Sequence, residues 1–91
     1  MNFQAKRWIF VGRVQGVGFR YTVHRMAGQY EITGFVRNLP DCTVELLAQG
    51  PESEVQQYLE EIQNYFGSSI RDIKATEIPP DPRLTDFRIR Y

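Results

Sequence analysis

The chain has 91 residues, 42% of them hydrophobic, 13% aromatic and 24% charged; that fits one folded domain over residues 1–91 and excludes a multidomain assembly or a disordered tract. Eleven Lys and Arg balance eleven Asp and Glu, which argues against the broad basic surface that a nucleic-acid backbone selects. Cys42 is the lone cysteine, so an internal disulfide and a cysteine metal cluster are excluded and a reducing cytoplasm is expected; no apolar run approaches the roughly eighteen residues that span a bilayer.

The zero net charge hides an asymmetry. Residues 1–40 carry Lys6, Arg7, Arg13, Arg20, Arg25 and Arg37 against Glu31 alone, while the nine acids of residues 41–81 face only Arg71 and Lys74. An anion would find its site in the first half, and the two halves could equally pair across a surface.

Arg7 to Gln15 alternates in polarity, placing Trp8, Phe10 and Val14 on one face of a first strand. Gln15, Gly16, Val17 and Gly18 interrupt it, and Phe19, Val23, Met26, Ala27 and Tyr30 then recur at helical spacing, with Gly28 weakening the last turn. Thr33 to Leu39 and Thr43 to Gly50 read as a β-hairpin around Pro40, Asp41 and Cys42, with Val44, Leu46 and Ala48 facing inward. Pro51, Glu52 and Glu54 open a second helix with apolar positions at Val55, Tyr58, Leu59, Ile62, Tyr65 and Phe66, closed by Gly67. Ile70 to Ile78 is a fourth strand, Pro79 to Pro82 a stiff break, and the alternation of Phe87, Ile89 and Tyr91 a short fifth. The order β, α, β, β, α, β, β predicts an α+β, ferredoxin-like split βαβ sandwich: a mostly antiparallel five-stranded sheet with two helices on one face.

The segment Gln15, Gly16, Val17, Gly18, Phe19, Arg20 joins a strand to a helix through two glycines. Such a junction lets several backbone N–H groups converge where the helix dipole is positive, and it attracts anions. Arg20 falls in the first helical turn, where a cation opposes the dipole and asks for a compensating anion; its planar fork suits a phosphate. Without Arg20, the glycines would read simply as a tight turn. Neither the Walker A pattern nor the dinucleotide fingerprint fits, so a nucleotide is not expected. In a split βαβ unit the first two strands run parallel, so Asn38, at the end of the second, reaches the same rim as the glycine loop. Its amide both donates and accepts, as a group orienting a water must; read alone, it is a turn residue before Leu39 and Pro40.

These residues resemble the acylphosphatase family. GRVQGVGFR, from Gly12 to Arg20, is similar to the family's first signature; GFVRN, from Gly34 to Asn38 and followed by Val44 and Gly50, is similar to its second; and DFRIRY resembles its usual ending. The similarity runs from Arg7 to Tyr91. It implies hydrolysis of the carboxyl–phosphate bond of acyl phosphates, with Arg20 and the loop amides binding phosphate and Asn38 positioning the attacking water. Cys42 and Glu31 stand where the family often has glycine.

The implied chemistry asks for no cofactor and no metal. Partners are then a small-molecule acyl phosphate, and phosphate or sulfate as product-like ligands; neither nucleic acid nor membrane is expected, and a monomer is. The alternative within the fold is a non-catalytic module that holds phosphate or carbamoyl phosphate. His24, one turn beyond Arg20, reads as a solvent-facing helix residue, with a base or phosphohistidine as the competing role. Cys42 at a hairpin tip is a poor site for an activated nucleophile, and Glu52, Glu54, Glu60 and Glu61 read as a solvated helix face.

Overall fold

The computed structural model describes residues 2–91; Met1, the first residue of the expected domain, lies outside them. In chain order the elements are β1 (Phe3–Gly12), α1 (Phe19–Ala27), β2 (Thr33–Asn38), β3 (Val44–Pro51), α2 (Glu52–Phe66), a short 3₁₀ turn (Gly67–Ser69), β4 (Ile70–Ile78) and β5 (Phe87–Arg90). The strands form one sheet in the order β4-β1-β3-β2-β5. β1 and β2 both pair antiparallel with β3 and therefore run parallel to each other, as in the ferredoxin-like arrangement. β5 adds to β2 as a parallel edge strand, Val36 opposite Ile89 and Arg37 opposite Arg90.

The helices follow from their apolar stripes. Phe19, Val23, Met26 and Ala27 of α1 and Val55, Tyr58 and Ile62 of α2 bury against Trp8, Phe10, Val36, Val44, Leu46 and Ala48 of the sheet. Tyr58 locks the two helices together by donating its buried hydroxyl to the Val23 carbonyl at 2.6 Å. Among the described residues no helix is long and apolar enough to cross a membrane.

Several boundaries differ from the sequence reading. β1 begins at Phe3 rather than Arg7: Gln4 and Lys6 interrupt the apolar pattern, yet their backbone pairs with β3, and Lys6 also lies opposite Glu77 of β4. It ends at Gly12, not Gln15, because its register against β4 slips between Val11 and Gly12. The first helix closes at Ala27, since the N–H groups of Gly28, Gln29 and Tyr30 reach back only three residues, to Arg25, Met26 and Ala27. Tyr65 faces solvent at the end of α2 instead of joining the core. Two acids expected on a solvated face have partners: Glu61 accepts from the Tyr30 hydroxyl at 2.6 Å, and Glu54 accepts from the Glu31 N–H at 3.0 Å.

The sheet face away from the helices is less open than its polar residues imply. Glu45 is buried there between the guanidinium groups of Arg7 and Arg37, and Gln49 is buried by two hydrogen bonds to the backbone of Asp81, at 2.8 Å each. The proline-rich segment thus crosses this face and leads the chain to β5.

Candidate active site

The end of β1 and the end of β2 meet at one rim of the sheet. Between β1 and α1 the backbone turns twice into the left-handed region, at Gly16 (φ +76°) and Gly18 (φ +75°), where a side chain would be strained. Gly18 is the residue that caps α1, and no side chain satisfies the helix start. The first helical hydrogen bond runs from the Thr22 N–H to the Gly18 carbonyl at 3.0 Å. Among the described residues, the N–H groups of Gln15, Gly16, Val17, Gly18, Phe19 and Arg20 have no acceptor within the protein. Six donors therefore remain free on one loop, beside the positive end of the helix dipole.

Arg20 adds the full charge. No acid stands in the first turn of α1, and none of the ion pairs among the described residues uses Arg20. Its guanidinium lies over the ring of Tyr91, 4.9 Å from the centroid. It also borders a cleft of about 210 Å³ whose other polar lining comes from Gly16, Gly18, Asn38 and the tyrosines. Asn38 is the last residue of β2, opposite Val44, and its Oδ1 is buried without a hydrogen-bond partner. A buried carbonyl oxygen left unpaired costs about 1–3 kcal/mol, and this one belongs to a residue that lines the cleft. The cleft thus combines loop residues with free backbone N–H groups, a guanidinium in no ion pair and an amide residue whose oxygen has no protein partner. That set can hold a tetrahedral anion and orient a water beside it.

The structure brings Gly16, Gly18, Phe19, Arg20 and Asn38 together around this cleft. It does not bring all six predicted loop residues to its wall. Val17 is 53% exposed on the outer side of the loop. Gln15 turns its side chain to the β2–β3 hairpin, donating from Nε2 to the carbonyls of Leu39 at 3.0 Å and Thr43 at 2.8 Å. His24 is exposed, with its ring 6.0 Å from that of Phe87, and Cys42 is exposed at the hairpin tip; neither lines the cleft.

Four lining residues escaped the sequence reading as site residues: Val14, Tyr21, Ile89 and Tyr91. Ile89 and Tyr91 share the alternation that marked β5, but that pattern says nothing of which strand β5 joins. Tyr21 sits on the exposed side of a helix stripe and carried no signal. The hairpin that carries Asn38 is braced by Asp41, which accepts from the Thr43 hydroxyl at 2.5 Å and the Thr43 N–H at 3.1 Å. The same two donors hold the Asp41 carboxyl below the usual carboxylate range.

The family model described as Acylphosphatase matches residues 6–89. An acylphosphatase of Clostridium acetobutylicum is 46% identical over 83 residues, covering 89% of this chain and 90% of the relative. The crystal structure of acylphosphatase from Bacillus subtilis superposes with a TM-score of 0.87 at 40% identity, covering 97% of this chain and 99% of that one. The structure of an acylphosphatase from Coxiella burnetii superposes with a TM-score of 0.86 at 30% identity, covering 98% of this chain and 94% of that one.

Proposed function

Because this chain belongs to the acylphosphatase family, we propose that its hydrolysis of acyl phosphates runs through the cleft between the glycine loop and Asn38. The substrate phosphoryl group sits in the loop, held by the N–H groups of residues 15–20 and by the guanidinium of Arg20. Asn38 orients a water in line with the bond to be broken. The single observation that carries this reading is the meeting at one cleft of Arg20, which is in no ion pair, of Gly16, Gly18 and Phe19, whose N–H groups have no acceptor, and of Asn38, whose Oδ1 has no partner.

In the reaction the water oxygen bonds to phosphorus as the bond from phosphorus to the acyl oxygen breaks, and the electron pair leaves on the carboxylate. A carboxylic acid has a pKa near about 4, so this group departs without a general acid. Charge on the equatorial oxygens is met by Arg20 and the loop donors, and no metal is required; chelator should leave the rate unchanged. The proton of the attacking water passes to a phosphate oxygen of the substrate, since His24 stands outside the cleft. The whole of 1–91 acts as one domain, working as a monomer in the cytoplasm, a setting that a lone free cysteine favours.

The test is hydrolysis of benzoyl phosphate by the wild type, Arg20→Gln and Asn38→Ala, each checked for folding by circular dichroism. Each substitution should lower kcat/KM by about 100-fold or more, the size of effect seen when a preorganised donor is removed. Activity that survives both would remove the site.

A further inference from the structure

Gln15 belongs to the loop, but its side chain reaches the other half of the site. Both hydrogens of its amide nitrogen are spent, one on the Leu39 carbonyl at 3.0 Å and one on the Thr43 carbonyl at 2.8 Å. Those two carbonyls are the ones that shape the hairpin turn: Thr43 O also accepts from the Leu39 N–H at 2.9 Å, and Leu39 O from the Cys42 N–H at 3.2 Å. Leu39 follows Asn38 directly. We infer that Gln15 is a positioning residue, a two-pronged clamp that fixes the water-orienting Asn38 relative to the phosphate loop; this rests on the roles given above to Asn38 and the loop.

The chemistry of the clamp is specific to a primary amide at this reach. Two donors on one nitrogen meet two acceptors on one turn. A Glu would present only acceptors to two carbonyls at neutral pH, an Asn is shorter by a methylene, and a Met fills similar volume with no donor. Because the loop donors that hold phosphate are backbone groups, loss of the clamp leaves them in place. What changes is the register between phosphorus and the water, to which in-line attack is sensitive.

The test is Gln15→Met, with kcat and KM for benzoyl phosphate and the inhibition constant of inorganic phosphate measured in the wild-type and Asn38→Ala backgrounds. The clamp predicts that kcat falls about tenfold while KM and the phosphate constant stay within about twofold, and that the fall disappears when Asn38 is already Ala. An unchanged kcat overturns it, as does a weakening of phosphate binding in step with kcat, or an equal loss in both backgrounds. If Asn38→Ala alone leaves kcat intact, the role of Asn38 falls and the clamp falls with it. If Asn38→Ala is severe and Gln15→Met is silent, only the clamp falls. Should Gln15→Met fail to fold, the wild type still decides: the Gln15 side-chain amide protons must exchange with solvent well below the rate of an exposed glutamine, and free exchange rejects the clamp.

Discussion

Cys42 is the one non-glycine residue among those described with a positive φ, +70°. A β-carbon in the left-handed region crowds the following carbonyl. Replacing Cys42 with Gly should raise stability by about 1 kcal/mol in urea unfolding, with kcat unchanged because the residue lies outside the cleft. An equal or lower stability would mean that the turn carries no strain. Glu31, by contrast, does not adopt a positive φ. Glu45 ties stability to pH. Burial pushes its carboxyl up, but the donors on Arg7 and Arg37 outweigh this and hold it below the ordinary carboxylate range. A pKa lower in the folded state than in the unfolded one stabilises above the ordinary range, and that stability drains away as pH falls through the folded value. Glu45→Gln should therefore lower stability at pH 7 by about 2 kcal/mol, with the gap to wild type narrowing as pH falls through and below the ordinary carboxylate range. A gap that does not change with pH would place the stabilisation in packing instead.

At the scale of elements, the site depends on how α1 is seated, since its first turn carries Arg20 and its N-terminus the loop donors. The Tyr58 hydroxyl ties α2 to the middle of α1 through Val23, and burial pushes that phenol well above its ordinary range. Tyr58→Phe should cost about 1 kcal/mol of stability, measured by thermal unfolding, while kcat/KM stays near wild type because the first turn of α1 is held by Phe19. A large loss of activity without loss of stability would show that α1 is steered from its middle. The glycine loop and the end of β2, which meet at the cleft, were legible. Gly16 and Gly18 demanded a special turn, Arg20 stood against the dipole, and Asn38 could be placed on the shared rim from strand direction alone. The pairing of β5 was not legible, because the alternation of Phe87, Ile89 and Tyr91 fits any edge. With it went the assignment of Ile89 and Tyr91 to the cleft. The first four residues of β1 were hidden for another reason: Gln4 and Lys6 are polar on the helix side near the sheet's end, so period-two hydrophobicity fails where backbone pairing continues.

Across the whole molecule, the charge asymmetry of the sequence resolves in two ways that composition could not separate. Part of it is structural, since Arg7 and Arg37 from the basic half grip Glu45 from the acidic half across the outer face of the sheet. Part of it leaves Arg20 out of every ion pair among the described residues, beside the cleft at the rim. The split βαβ topology makes the second possible: two parallel strands separated by β3 deliver the glycine loop and the Asn38 amide to the same edge, while the helices on one face hold the loop in place. The central claim is that main-chain N–H groups of one loop, with Arg20, bind the phosphoryl group. The most direct measurement is a titration of ¹⁵N-labelled protein with inorganic phosphate, followed by amide chemical shifts. Phosphate held by the loop gives saturable shifts concentrated at Gly16 to Arg20 and at the Asn38 side chain, with the loop response lost in Arg20→Gln. Phosphate shifts that fall elsewhere, or loop amides that do not move at saturation, would contradict it.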